Sequence, residues 1–142
     1  MILKLLVHKN KFFIFFLFLI LSCGRFKDQK VFVEQSYYDN GVLQSEVSIV
    51  SGKLNGHAKY YDNESNLKSI ASYKNNILHG MWIEYYVNGK IMHSVRYENG
   101  LKDGSELWYY DNGSIKSETV YDLGNIVFNT LRWDKNGNIL YK

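Results

Sequence analysis

The chain repeats itself every 24 residues without a gap. Tyr37, Tyr61, Tyr85, Tyr109 and Trp133 form one aromatic column, and Gly41, Ser65, Gly89, Gly113 and Gly137 follow four residues behind it. Leu43, Leu67, Ile91, Ile115 and Ile139 make a third column, and Ile49, Tyr73, Tyr97 and Tyr121 a fourth. Two glycine columns close each copy: Gly52, Asn76, Gly100, Gly124, then Gly56, Gly80, Gly104, with Phe128 at the next place. Self-similarity at a fixed period marks an architecture in which each unit buries its apolar side against its neighbours.

The units read as β-hairpins. The chain has 12 Tyr, 11 Gly and no Pro in 142 residues, a mix that favours strands joined by tight turns. Asn40-Gly41, Asn88-Gly89, Asn112-Gly113 and Asn136-Gly137 predict two-residue type I′ turns, which need positive φ at both central residues. The paired glycine columns predict a longer connector, as in Glu98 to Gly104, leaving strands at Lys90 to Tyr97 and Ser105 to Asp111. With Val31 to Ser36 as a leading half-copy, the expectation is an all-β, elongated antiparallel hairpin sheet of about nine or ten strands, some 45 Å long. Asn63-Glu64-Ser65-Asn66 should turn more loosely, and Phe128 should reshape its connector.

The N-terminus reads differently, and the chain divides into 1–22 as a signal peptide, 23–30 as a tether and 31–142 as the repeat domain. Lys4, Lys9 and Lys11 lead into an apolar run, Phe12 to Leu21, half the length of about twenty residues that spans a bilayer. Ile20-Leu21-Ser22-Cys23-Gly24 resembles the lipobox of bacterial lipoproteins. That resemblance implies cleavage before Cys23, lipidation of its thiol and acylation of the new N-terminus. Several acyl chains together anchor stably where one would be marginal. The expected location is therefore the cell envelope, at the membrane. Gly24 is not Asp, so the inner-membrane retention signal is missing, and the outer membrane is favoured in a cell that has one. The alternative is an ordinary secretory signal with Cys23 a chance thiol. As the only cysteine, it has no disulfide partner within the chain.

Charge excludes one class of partner. The formal net charge is +3, but the three leader lysines account for all of it, leaving 14 basic and 14 acidic residues from Cys23 onward. A neutral repeat region lacks the clustered Lys and Arg that phosphate backbones demand, so nucleic acid is not expected.

Alternation along strands divides the side chains between two faces. With two-residue turns, Tyr110 stands opposite Ile115 and Tyr109 opposite Lys116. One face then collects Tyr86, Tyr110, Trp82, Trp108, Ile91, Ile115, Val95, Tyr97 and Tyr121. The other carries the ladder Tyr37, Tyr61, Tyr85, Tyr109, Trp133, with Ile83, Leu107, Lys116, Glu46, Glu118 and Arg96. A three-residue loop would move the ladder to the opposite face. The ladder has two readings: a binding site for an extended polypeptide or a glycan strand, or rings that stack across neighbouring hairpins and stabilise a thin sheet.

No catalytic constellation is visible, so an enzyme is not expected. His57 and His79 sit in or beside the connectors, and His93 aligns with Ser45, Ser69 and Ser117. Scattered histidines do not supply the convergent ligands of a metal site. Glu46 and Glu118 share a column but stand three copies apart, too far for an acid/base pair. No phosphate loop, dinucleotide fingerprint or nucleophile elbow appears, and no small-molecule cofactor is implied.

Tyr85-Tyr86-Val87-Asn88-Gly89-Lys90-Ile91 and Asn76-Ile77-Leu78-His79-Gly80-Met81-Trp82 resemble the MORN-repeat variant family, many of whose members are identified as antitoxins of the YwqK type. The resemblance covers Tyr37 to Lys142. It implies a hairpin sheet serving as a scaffold that binds a protein. The resulting expectation is a lipid-anchored envelope protein acting as a non-catalytic protein-binding scaffold. Two alternatives stand beside it: an antitoxin or immunity protein that neutralises a toxin, and a glycan-binding envelope module.

Overall fold

A computed structural model describes residues 30–141. The signal segment, Cys23 and most of the tether lie outside the described residues, as does Lys142. The described chain forms eleven strands: β1 (Val31–Tyr37), β2 (Leu43–Val50), β3 (Lys53–Tyr61), β4 (Leu67–Lys74), β5 (Ile77–Tyr85), β6 (Ile91–Glu98), β7 (Leu101–Lys102), β8 (Gly104–Tyr109), β9 (Ile115–Asp122), β10 (Asn125–Trp133) and β11 (Ile139–Tyr141). They make one antiparallel sheet in chain order, with β7 and β8 as two halves of a single hairpin leg interrupted at Asp103. Because every strand pairs with its sequence neighbour, each copy packs on the next through backbone hydrogen bonds, as the period requires.

The turns reverse the expected assignment. Ser51-Gly52, Asn75-Asn76, Asn99-Gly100 and Leu123-Gly124 are the positions with positive φ at both residues. They close the pairs Val50↔Lys53, Lys74↔Ile77, Glu98↔Leu101 and Asp122↔Asn125, so these are the two-residue turns. The predicted long connector is thus a tight turn followed directly by strand. At the Asn-Gly corners only the glycine has positive φ, 78° at Gly89 and 94° at Gly113. There Tyr110 N–H donates to Ser114 O and Gly113 N–H to Tyr110 O, both at 2.8 Å, which encloses three loop residues. The asparagine serves through its side chain: Asn88 Oδ1 accepts from Lys90 N–H at 3.0 Å and Asn112 Oδ1 from Ser114 N–H at 3.0 Å.

A third loop residue should have moved the ladder to the other face, yet it did not. One bulge after each turn absorbs the extra residue: Tyr109 pairs with Ile115, but Trp108 already pairs with Ser117. Beyond the bulge, Leu107 and Glu118 share a face with Tyr109, as expected. At the bulge itself the faces change. Ile91 and Ile115 come into register with Tyr85 and Tyr109 rather than with the opposite face. Lys116, expected beside the ladder, instead carries its Nζ 5.8 Å from the Tyr110 ring centre.

The second glycine column also makes bulges. Gly56 and Gly80 take φ of 101° and 107° within their strands, and a Cβ on Gly80 would lie 3.0 Å from the Ser72 Cβ. Phe128 takes no such conformation. The pairing of β10 with β9 slips twice around it, and Ile126, Val127 and Phe128 are left exposed.

The sheet is thin. Among the described residues the buried apolar side chains are Ile49, Ala58, Ala71 and Val95. Side chains therefore add cross-copy ties at the corners. Tyr38 Oη donates to Tyr61 O, Tyr86 Oη to Tyr109 O and Tyr110 Oη to Trp133 O, at 2.8, 2.7 and 2.9 Å. Asp62 and Asp134 occupy the same column and close their own corners instead: Asp62 Oδ1 accepts from Asn66 N–H at 2.8 Å and Asp134 Oδ1 from Asn138 N–H at 2.9 Å.

Candidate functional site

The ladder residues lie on one face, each paired across its hairpin with an aliphatic residue: Tyr37 with Leu43, Tyr61 with Leu67, Tyr85 with Ile91, Tyr109 with Ile115, Trp133 with Ile139. Successive rings are two strands apart, about 9.6 Å, with a branched aliphatic between them. The rings therefore alternate with aliphatics and do not stack on one another. Among the described residues, the ring pairs in contact are elsewhere, Trp82 with Tyr97 and His93 with Trp108. The product is an apolar ribbon running across all copies. Several members stay open to solvent, with Tyr37 42% and Ile115 40% exposed.

Polar groups border the ribbon at the β1–β3 end. Gln35 Nε2 donates to Glu46 Oε1 at 2.8 Å, Tyr61 Oη donates to Glu46 Oε2 at 3.3 Å, and Tyr37 Oη donates to Gln35 Oε1 at 2.9 Å. Burial, then the Glu46 charge and this hydrogen bond, hold the Tyr61 hydroxyl above its ordinary pKa, so it remains a donor. Ile70 and Ile83 pair in the next strands along that row, so the polar border gives way to a wider apolar strip toward the middle of the sheet.

On the other face a titratable cluster is buried between β5 and β9. His93 Nδ1 lies 2.9 Å from Glu84 Oε2, and its Nε2 lies 2.9 Å from Glu106 Oε1. Lys102 Nζ donates to Glu106 Oε1 at 2.6 Å, and Tyr121 Oη donates to Glu106 Oε2 at 3.1 Å. The Trp108 ring stacks on the imidazole at 4.1 Å. Burial pushes the Glu106 carboxyl up, but the bonds from Lys102, His93 and Tyr121 outweigh it and hold the group below its ordinary value. Both imidazole nitrogens face carboxylate oxygens.

His93 is thus a buried residue within β6. His57 is exposed, its Nδ1 3.2 Å from Ser72 Oγ, and His79 Nδ1 lies 3.6 Å from Glu98 Oε1. Among the described residues no three His, Cys, Asp or Glu converge as metal ligands. Sequence reasoning missed Glu84 and Glu106. Glu84 stands in the column of Tyr60 and Trp108, and Glu106 in that of Ala58 and Trp82. A carboxylate at each of these two positions, both uncharged in the adjacent copies and one on each side of His93 in the chain, was the available signal.

No curated protein and no solved structure matches the chain. The family model described as MORN repeat variant matches residues 33–50, 54–75, 78–99 and 102–123. Its four segments coincide with the hairpin units of the sheet, and repeats of this kind generally serve as non-catalytic binding modules. On that match the chain belongs to the MORN repeat variant family.

Proposed function

We propose that this protein is a lipid-anchored scaffold of the cell envelope that holds another protein along its aromatic–aliphatic ribbon. The ribbon carries the proposal. It crosses every copy on one face, alternates Tyr or Trp with Leu or Ile, and keeps exposed apolar surface on a chain with little core of its own. The basic leader, the apolar run and Cys23 support the anchor, and the balanced charge of the repeats favours a protein over a polyanion.

A photo-crosslinking amino acid placed at Tyr85 or Tyr109 in living cells tests the ribbon. Adducts with one polypeptide are expected at these positions and not at Lys59 or Arg96, farther from the ribbon on the same face. Equal adducts at all four positions, or none, would remove the reading. Radioactive palmitate tests the anchor: label is expected on the wild-type chain and absent from a Cys23→Ser variant. The antitoxin label attached to members of the resembled family supports a second reading, in which the captured polypeptide is a toxin. Its identity separates the two. Polysaccharide pull-down that is lost in Tyr85→Ala/Tyr109→Ala without loss of folding would instead place a glycan strand on the ribbon.

A further inference from the structure

One depression, of about 440 Å³, opens on the face opposite the ribbon. Its floor is a row of consecutive cross-strand partners: Ser36, Ser45, Tyr60, Ser69 and Glu84. Its position follows from a break in the repeat. Tyr38, Tyr86 and Tyr110 each reach across the intervening strand to a carbonyl 23 residues on, and so roof the row beneath them. At the second corner this column holds Asp62, whose carboxylate turns back onto its own loop. The strand carrying Lys68 and Ser69 is left without a roof, and the depression extends over it. Farther along the same row the stacked rings of His93 and Trp108 occupy the equivalent space.

The lining selects a ligand by charge. Lys68 and Glu84 both line the depression, so an anion meets Glu84 and a cation meets Lys68. Glu84 is already engaged by the His93 ring at 2.9 Å, which weakens its pull on a cation further. What remains is a set of hydroxyls and an amide at Ser36, Ser45, Ser69 and Gln44, beside the ring of Tyr60. Ser36 Oγ already bonds Ser45 Oγ at 2.7 Å and Gln44 Oε1 at 3.3 Å, and each group keeps further donor or acceptor capacity. Burial, followed by its bond to Tyr73, pushes the Tyr60 hydroxyl up to about 12, so it stays neutral. We propose that this depression binds one unit of a neutral saccharide, its hydroxyls paired with the serine row and Gln44 and its apolar ring face against Tyr60. The site's floor lies on the face opposite the ribbon, with Tyr61 as the one residue common to both, and it does not depend on the protein-scaffold reading.

The test uses the isotope-labelled full chain in phosphocholine micelles, since sugar-headed detergents would compete. Methyl glycosides of glucose, galactose and N-acetylglucosamine are titrated while backbone amide shifts are followed. At least one should give saturable shifts centred on Ser45, Ser69 and Glu84, with an affinity on the order of 1 mM expected for so small a ligand. Two variants should each weaken binding at least about tenfold, the factor that one lost contact of ordinary strength produces. Asp62→Tyr combined with Glu64→Asn and Ser65→Gly rebuilds the roofed corner of the copies that carry Tyr86 and Tyr110, and Ser69→Phe fills the floor. Absence of saturable shifts with all three sugars would overturn the proposal, as would shifts centred on Tyr85 and Tyr109. Undiminished binding in either variant with a folded spectrum would overturn it too.

Discussion

His93 Nε2 meets Glu106 Oε1 at 2.9 Å inside a sheet only one layer thick. The two are buried to 7% and 8% exposure, and Glu84 holds the other side of the ring. In three other copies the His93 position is serine. His93→Ser should therefore cost about 2 kcal/mol or more, because two carboxylates lose the ring they share, one of them buried. Urea unfolding of the variant measures it. A change below about 0.5 kcal/mol would show the cluster to be incidental.

Glu106 also sets an acid limit. Its carboxyl lies below its ordinary 4.5 in the folded chain, so its contribution is present above pH 4.5 and is lost as pH falls through the lower, folded value. Lys102, raised above 10.5 by Glu106 in spite of its burial, contributes below that pH and loses its share as pH rises further. Glu106→Gln should be less stable than wild type near neutrality, with the gap narrowing below pH 4.5. Unfolding midpoints across an acid series read this out. A constant gap would place the effect in packing alone.

The roofing hydroxyls each contribute one half-buried bond between copies. Tyr86→Phe removes the 2.7 Å bond to Tyr109 O and should cost about 1 kcal/mol. Hydrogen exchange should speed up selectively at the corner spanning Tyr109 to Ser114. Uniform acceleration across the sheet would argue against a local tie.

A bulge glycine and a corner glycine should respond differently. Gly80→Ala forces a Cβ to 3.0 Å from Ser72 at φ 107°, whereas Gly41 has open space at φ 83°. The first should cost about 2 kcal/mol or more and the second about 1 kcal/mol. Ser65 holds φ 71° where the other copies have glycine, so Ser65→Gly should stabilise by a few tenths to about 1 kcal/mol. Thermal melts of the three variants check the order, and a reversed order would contradict the bulge geometry.

Much of the architecture was legible in the columns. A residue type that returns every 24 positions must occupy one equivalent place, so the hairpin repeat and the alignment of Tyr37 with Trp133 required no coordinates. Turn type was not legible. Asn-Gly suits positive φ at both positions, yet Asn112 spends its side chain on Ser114 N–H and keeps ordinary backbone geometry, while Leu123 takes φ 42° because the tight turn there requires it. The ladder's own column was plain, but its aliphatic partners were misplaced, since Ile91 and Ile115 sit on the wrong side of an unseen bulge.

The sequence by itself determined the period, the strand–turn alternation and the aromatic column, because these depend on spacing along the chain. Only the tertiary structure decided which residues meet across strands. Register between hairpins depends on where bulges absorb a residue, and a shift of one residue exchanges the faces. That is why the ribbon's Leu and Ile, the His93–Glu106 contact and the unroofed row beside Asp62 came into view only when neighbouring copies were laid side by side.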